Sequence, residues 1–467
     1  MEKSVEKIKP FYVFSVDGSC YLLKLISNRY FSVSSEEYKI LLDFPEISDD
    51  VFWNIAEKYD LIGDGKPYDD LRVVRWNNIY DSKKLNCIEL LVSQECNMRC
   101  EYCYGDSNFG GSGFMTFETA KPAIDVFLSS TGNEPTVSFF GGEPLLNFPL
   151  IRQVMKYIRF TLKRDDVTYK ITTNGALITD EMLSFFKEYP VDISVSFDGR
   201  MQHKYRHFAG GGDSYDIVFE NIKKLLNVYP GLVGRGTLYG EGDAEEMSED
   251  LRSAGFYKGY VSGASGCLPK GVVLKEKQIR YRELMKRYPE ITGNFLDAVR
   301  KRDTETIRSI TFDEEYMEAV GYGFHPSPVM MSCGCGRTLF AVDTKGDIYP
   351  CHRFVGTSEM KLGNIKDGFE QTGKSVFSEH ITFQNPECKN CFLRFSCGGS
   401  CLHENYSDAS SDLEKPSIHV PFPEFCSFRR LSARLSIHLF LSLTREERLW
   451  LRDLLQNEYK LKNGKKI

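Results

Sequence analysis

Residues 11–33 alternate apolar and polar positions in three short runs: Phe11-Tyr-Val-Phe, Cys20-Tyr-Leu-Leu-Lys-Leu and Tyr30-Phe-Ser-Val. That is the period of half-buried strands. Ser34-Ser-Glu-Glu37 reads as a helix start, with helices expected near 35–43 and 49–59. The pattern thus predicts a strand-then-helix module over 1–80, with Gly63-Asp-Gly-Lys-Pro67 as its exit loop. From Asn86 the period changes. Candidate strands at Ile88–Ser93, Thr136–Phe140, Thr168–Thr172, Asp192–Ser196, Gly231–Leu238 and Lys258–Ser262 alternate with amphipathic stretches near 117–130, 148–163, 179–187, 214–227 and 244–253, and with a longer one from Lys275. Six such repeats predict an α/β domain over 85–315, a parallel sheet with right-handed crossovers closing into a partial (β/α)6 TIM-like barrel. Functional residues then belong at the C-terminal ends of its strands. Residues 320–430 are loop-rich, punctuated by Gly and Cys, and 431–467 return to a helical pattern with a mixed-charge face. No internal repeat is found.

Length and composition narrow the class. The 467 residues suggest about three domains at roughly 150 residues each. With 42% hydrophobic and 13% aromatic residues the chain can fill a large core, so disorder is excluded as a description of the whole. A net charge of −6 offers no basic excess to neutralise phosphates, so no nucleic-acid partner is expected. Met1 to Pro10 lacks an apolar export segment, and the longest apolar stretch, near Leu435 to Leu443, is about half a bilayer span and contains His438. A cytoplasmic protein with no membrane partner is the expectation.

The fourteen cysteines change the picture most. Cys96, Cys100 and Cys103 form one tight group; Cys333, Cys335, Cys351, Cys388, Cys391, Cys397, Cys401 and Cys426 crowd the last third. In a long chain without an export signal this favours metal ligation over disulfides. A loop-rich region of that length also needs such ligation to hold together.

Cys96-Asn-Met-Arg-Cys100-Glu-Tyr-Cys103 follows the first barrel strand with the spacing CxxxCxxC. A zinc site would need a fourth ligand and more usually shows paired CxxC units. The segment resembles the radical S-adenosylmethionine (SAM) superfamily, whose signature this is. The resemblance implies a [4Fe–4S] cluster on three cysteines, with one iron left open to chelate SAM and cleave it to a 5′-deoxyadenosyl radical. It also implies that Gly141, Gly142 and Glu143, in Phe139-Phe-Gly-Gly-Glu-Pro144, meet the methionyl amine, and that Tyr102 contacts adenine. Asn174 after the third strand, Ser194, Ser196 and Asp198 around the end of the fourth, and Arg235 in the fifth suit ribose and carboxylate recognition; Asn174 and Asp198 are equally good turn formers.

Further on, Cys333, Gly346-Asp-Ile-Tyr-Pro-Cys351, Cys388-x2-Cys391-x5-Cys397-x3-Cys401 and Cys426 resemble the SPASM extension of radical SAM peptide-modifying enzymes at all seven positions. The family's interleaved ligation implies Cys333, Cys351 and Cys401 for one auxiliary cluster, and Cys388, Cys391, Cys397 and Cys426 for another. That makes three [4Fe–4S] clusters in all. Cys335 either completes the first auxiliary cluster or leaves it an open iron. Cys20, Cys87 and Cys267 remain as buried or idle thiols. The alternative from another class is a pair of zinc knuckles in a peptide-binding scaffold without redox chemistry.

The stretch from Pro350 to Asn364 resembles maturases that forge cysteine thioethers. Sulfatase maturases of the superfamily place an Asp after this cysteine, and His352 departs from that pattern; a His there can move protons or merely hydrogen-bond the cluster. The N-terminal module resembles the winged-helix-like element that takes a leader peptide as an added strand, though it can also be read as a cap on the barrel. The whole resemblance implies a radical SAM oxidoreductase that installs a Cys thioether in a ribosomally made precursor peptide with a leader, reduced by a reductase, flavodoxin or ferredoxin. Cys96, Cys100, Cys103 and His352 are its expected catalytic residues. Carbon–carbon or carbon–oxygen crosslinking and epimerisation are the alternatives within the class.

Overall fold

The computed structural model describes residues 4–46, 48–64, 85–107, 109–267, 273–313, 315–317, 333–367, 385–409, 418 and 420–462. Strands β1 (Phe11–Val16), β2 (Ser19–Lys24) and β3 (Arg29–Val33) form an antiparallel meander in that order. Helices α1 (Ser35–Leu42) and α2 (Asp50–Lys58) follow. Each starts where the sequence supplies a cap: Ser34 and Glu37 form a reciprocal capping box, and Asp49 accepts from the Phe52 amide. Phe52, Ile55 and Ala56 of α2 close over Val13 and Leu22. At about 1.5–3 kcal/mol per buried large apolar side chain, this small core holds the module together. Of the expected exit loop, residues 65–67 lie outside the described residues.

The module is docked rather than loose. Tyr12 stacks on Phe392 with ring centroids 4.1 Å apart, and Tyr21 Oη lies 2.6 Å from His438 Nδ1.

The second unit is a nine-stranded sheet. Its parallel strands are β4 (Leu85–Ser93), β6 (Thr131–Gly141), β7 (Thr168–Thr173), β8 (Asp192–Ser196), β10 (Val233–Leu238) and β11 (Lys258–Gly263), side by side in chain order. Between them run α3 (Phe117–Ser129), α4 (Phe148–Lys156), α5 (Asp180–Glu188), α6 (Tyr215–Leu226) and α7 (Ala244–Ser253). Thr116, Thr179 and Asp243 cap three of these helices. Ile88, Leu90, Val137, Phe139, Ile171 and Val195 on the strands pack against Phe127, Ile151, Phe186 and Ile222 on the helices in one continuous core. This is the partial barrel that the six repeats predict. Two short strands, β5 (Met98–Cys100) and β9 (Arg206–Phe208), pair across the barrel's top, setting Cys100 opposite Arg206.

The C-terminal third differs from the expected loops in one respect. Strand β14 (Leu339–Val342) lies parallel to β4, with Leu339 opposite Cys87 and Val342 opposite Leu90. It is extended by β15 (Asp347–Tyr349) and β16 (Gly363–Asn364), so this part of the cysteine-rich region is part of the barrel sheet. Four apolar residues between Cys-Gly loops carry too little periodicity to announce such a strand. Strands β12 (Gly266–Cys267) and β13 (Val273–Leu274) form a small hairpin. Helix α8 (Glu276–Lys301) then leads through α9 (Thr304–Phe312) towards the cysteine region, where α10 (Leu402–Ala409) follows the last of the CxxC-type cysteines.

The expected boundary at 430/431 falls within helix α11 (Pro423–Ser442), which carries Cys426 in its first turn, while a capping box at Thr444 and Glu447 begins a separate helix, α12 (Arg445–Lys462). Leu435 and Leu439 of α11 pack on protein. Among the described residues no helix is long and apolar enough to cross a membrane.

Candidate active site

A cavity of about 550 Å³ opens at the C-terminal ends of the barrel strands, lined by Cys96, Cys100 and Cys103 on one side and by Lys277, His352, Arg353 and Glu404 on another. The loop after β4 turns back because the Cys103 amide donates to the Cys100 carbonyl, and the amides of Met98 and Ser107 donate to the sulfurs of Cys96 and Cys103. Burial, reinforced by Glu143 and the neighbouring thiols, pushes Cys96 up to about 12. Such thiols stay protonated until a cation displaces the proton, as iron does. Three thiols facing one cavity, with amides already aimed at sulfur, fit a [4Fe–4S] group with one iron left for another ligand.

Gly141 and Gly142 line this cavity, and the structure supplies the reason for both glycines. Gly141 has φ +137°, and a Cβ on it would stand 2.0 Å from the Ser93 carbonyl oxygen; one on Gly142 would stand 2.5 Å from the carbonyl oxygens of Glu95 and Ser107. The pair lets the end of β6 close on β4 and the cysteine loop. Gly141→Ala is therefore expected to lose at least about 1–3 kcal/mol of stability, read as a lower unfolding midpoint.

Glu143 is turned inward. Its carboxylate accepts from the Leu145 and Asn174 amides and from Thr173 Oγ1 at 2.7–2.9 Å, it is fully buried, and burial raises its pKa to about 6. It braces the β6 and β7 loops through these three donors and is not among the residues lining the cavity. Asp198 behaves alike: it accepts from Tyr102 Oη and from the Thr237 amide, and is fully buried behind the cavity wall. Tyr102, Asn174, Ser196 and Arg235 line the cavity, and Ser194 does not. Asn174 Nδ2 donates to Asn97 at 2.8 Å, and Arg235 lies 4.6 Å over the Tyr260 ring.

Several residues had no local signal. Arg206 lines the cavity, donates to Tyr102 Oη at 2.7 Å and stands 4.0 Å from Asp198. Glu89 on β4 holds His352 by two bonds, at 2.9 Å to Nδ1 and 2.8 Å to the His352 amide. Burial would lower the His352 pKa, but Glu89 raises it overall. Glu404 gathers Lys277 at 2.9 Å, Arg353 at 3.1 Å and Ser265 at 2.9 Å on one carboxylate oxygen. The contacts of Glu89 and Glu404 span 51 to 263 residues, and no periodicity or spacing encodes them.

The cysteines of the last third gather in two sets. Cys335 and Cys351 are buried, and the Cys335 thiol contacts both Cys333 and Cys351, with Cys401 within electrostatic reach of Cys351. This inner set includes Cys335, the residue whose membership the spacing left open. Cys388, Cys391, Cys397 and Cys426 line a separate, outer cavity. A zinc ion would draw four sulfurs to about 2.3 Å from one point. Thiolate is also the ligand that iron–sulfur clusters prefer, and sets of this size suit them.

Comparison with known proteins agrees with this geometry. Residues 90–254 match the radical SAM superfamily, and residues 333–392 match the SPASM iron–sulfur cluster-binding domain. The radical SAM cyclopropyl synthase TigE of Paramaledivibacter caminithermalis is 29% identical over 45% of this chain and 51% of its own, so the chain spans about half of that relative. A cysteine-type anaerobic sulfatase-maturating enzyme of Clostridium novyi is 22% identical over 71% of this chain and 92% of its own. The solved structure of Streptococcus suis SuiB bound to precursor peptide SuiA shares the fold, at 14% identity and a TM-score of 0.50, covering 88% of this chain and 97% of that one.

Proposed function

We propose that this chain, in which a radical SAM domain at 90–254 precedes a SPASM domain at 333–392, installs a crosslink in a ribosomally made precursor peptide, a cysteine thioether being the first reading. The observation that carries it is one cavity lined both by Cys96, Cys100 and Cys103 and by His352, which is next to Cys351. A bound cluster with SAM supplies a hydrogen-abstracting radical there, chemistry for which side chains have no group. The chain's own residues do the rest. His352 lines the cavity with Nδ1 held by Glu89, which leaves Nε2 to take a proton from a peptide thiol or from the oxidised residue.

A peptide substrate is supported by SuiB, whose structure holds its precursor peptide, and the docked module with β3 at the sheet's edge offers a place for a leader strand. A second reading, carbon–carbon bond formation, is favoured by the likeness to a cyclopropyl synthase. Co-expression with a short cysteine-containing peptide encoded beside this gene tests both. A thioether removes two hydrogens and leaves the cysteine resistant to alkylation; a carbon–carbon link removes the same mass and leaves the thiol reactive. Unchanged mass with an inverted centre means epimerisation and ends the crosslink reading. His352→Ala is expected to cut crosslinking by about 10²-fold or more while SAM is still cleaved; product formation at the wild-type rate would remove His352 from the chemistry.

A further inference from the structure

Strand β10 reads Val233-Gly-Arg-Gly-Thr-Leu238, and its two glycines fix which way it faces. A Cβ on Gly234 would stand 2.9 Å from Leu251 and Phe256, and one on Gly236 would stand 2.5 Å from Met247 Sδ. Helix α7 thus packs directly on the glycine face. The alternation of a strand turns Arg235 and Thr237 to the opposite face, where both line the cavity. A one-residue slip would drive the guanidinium into the apolar layer, so the register is strongly specified. Among the described residues, every other cation lining the cavity has a carboxylate beside it. Lys277 and Arg353 share Glu404, His352 has Glu89, and Arg206 stands 4.0 Å from Asp198. The carboxylates lining the cavity are Glu315 and Glu404, and both are engaged, Glu315 by Arg280 at 3.0 Å. Arg235 differs. Among the described residues its guanidinium makes no hydrogen bond or ion pair; it stays exposed and rests 4.6 Å over the ring of Tyr260, its neighbour across the β10–β11 pair. Stacking occupies the face of a guanidinium and leaves the N–H donors in its plane for a carboxylate to accept from two at once.

We propose that Arg235, seated on Tyr260, holds a carboxylate of the peptide substrate and so helps to select which peptide the enzyme takes. The inference rests on the reading that the cavity receives a precursor peptide. Two observations favour the peptide over the carboxylate of SAM, the other occupant that the sequence suggests. The cation at the cysteine loop is Arg206, which is buried and which the pairing of β5 with β9 sets opposite Cys100. Arg235 stands on β10, separated from β4 and its cysteine loop by β6, β7 and β8 in the sheet. A ligand anchored at the loop meets Arg206 first; a second molecule entering the cavity from the β10–β11 side meets Arg235.

The test is steady-state kinetics of the anaerobically reconstituted full chain, with the peptide encoded beside this gene as the probe. Arg235→Gln is expected to raise the KM for the peptide by about 10-fold or more, the worth of one charge-assisted pair, and to move the KM for SAM by less than about twofold. Arg235→Lys, which keeps the charge and loses the fork, should recover part of the loss. Peptides with Asn or Gln in place of each Asp or Glu in turn, and one amidated at its C-terminus, then identify the carboxylate. The peptide that lacks it should meet the wild type as weakly as the parent peptide meets Arg235→Gln, and should lose nothing further with that variant. A raised KM for SAM with an unmoved KM for the peptide would overturn the proposal. So would a full set of amide peptides that all match the parent. Where Arg235→Gln does not fold, the amide peptides on the wild type decide: one weakened about 10-fold supports the proposal, and none weakened overturns it. A wild type that modifies no peptide fails the peptide reading itself and takes the proposal with it, an outcome told apart because wild type and variant are then alike.

Discussion

Replacing Cys96, Cys100 and Cys103 by alanine is expected to abolish SAM cleavage, with 5′-deoxyadenosine falling to the uncatalysed background. The three thiols line one cavity wall, and the backbone amides of Met98 and Ser107 donate to two of their sulfurs. The neighbouring carboxylates cannot take over as ligands: Glu143 is occupied by three donors and Asp198 by Tyr102 and Thr237. The variant should keep its fold, because the cysteine loop is braced by backbone bonds and by the pairing of β5 with β9. Iron content should fall by about four atoms, the content of one [4Fe–4S] cluster. Retained 5′-deoxyadenosine formation in this variant would refute the assignment, and a colourless zinc-loaded wild type would favour the scaffold reading instead.

Glu404→Gln is expected to destabilise the protein by about 3–5 kcal/mol, the usual cost of removing one partner from a buried ion cluster. Glu404 is 5% exposed and neutralises two cations, Lys277 from α8 and Arg353 beside Cys351, which the variant leaves facing each other across the cavity. Burial opposes its ionisation, yet Lys277 and Arg353 hold its carboxyl down at about 2. The sign follows from linkage: a depressed folded-state pKa stabilises the fold above the ordinary carboxylate value of about 4.3, and this contribution fades as pH falls towards 2. Urea unfolding of both proteins should therefore show a gap at pH 7 that narrows below about pH 4.3. A gap that is small at pH 7, or independent of pH, would mean that the two cations find other partners.

The sequence alone determined the parts that repeat or that lie close together in the chain. Six strand–helix alternations specified the barrel because inward-facing residues recur with a fixed period, and Ser34, Asp49, Thr116, Thr179 and Asp243 marked helix starts through caps that act over two or three residues. The cysteine sets were legible for the same reason, since a cluster loop demands close spacing. Tertiary structure decided what depends on contacts between distant segments. It gave Glu143 and Asp198 their protein donors, joined β14 to β4, brought Cys335 to Cys333 and Cys351, and set Glu89 against His352, 263 residues away. A carboxylate beside a strand end looks the same in sequence whether donors reach it from the protein or from a ligand; only the folded chain, by satisfying its buried polar groups internally, chooses between them.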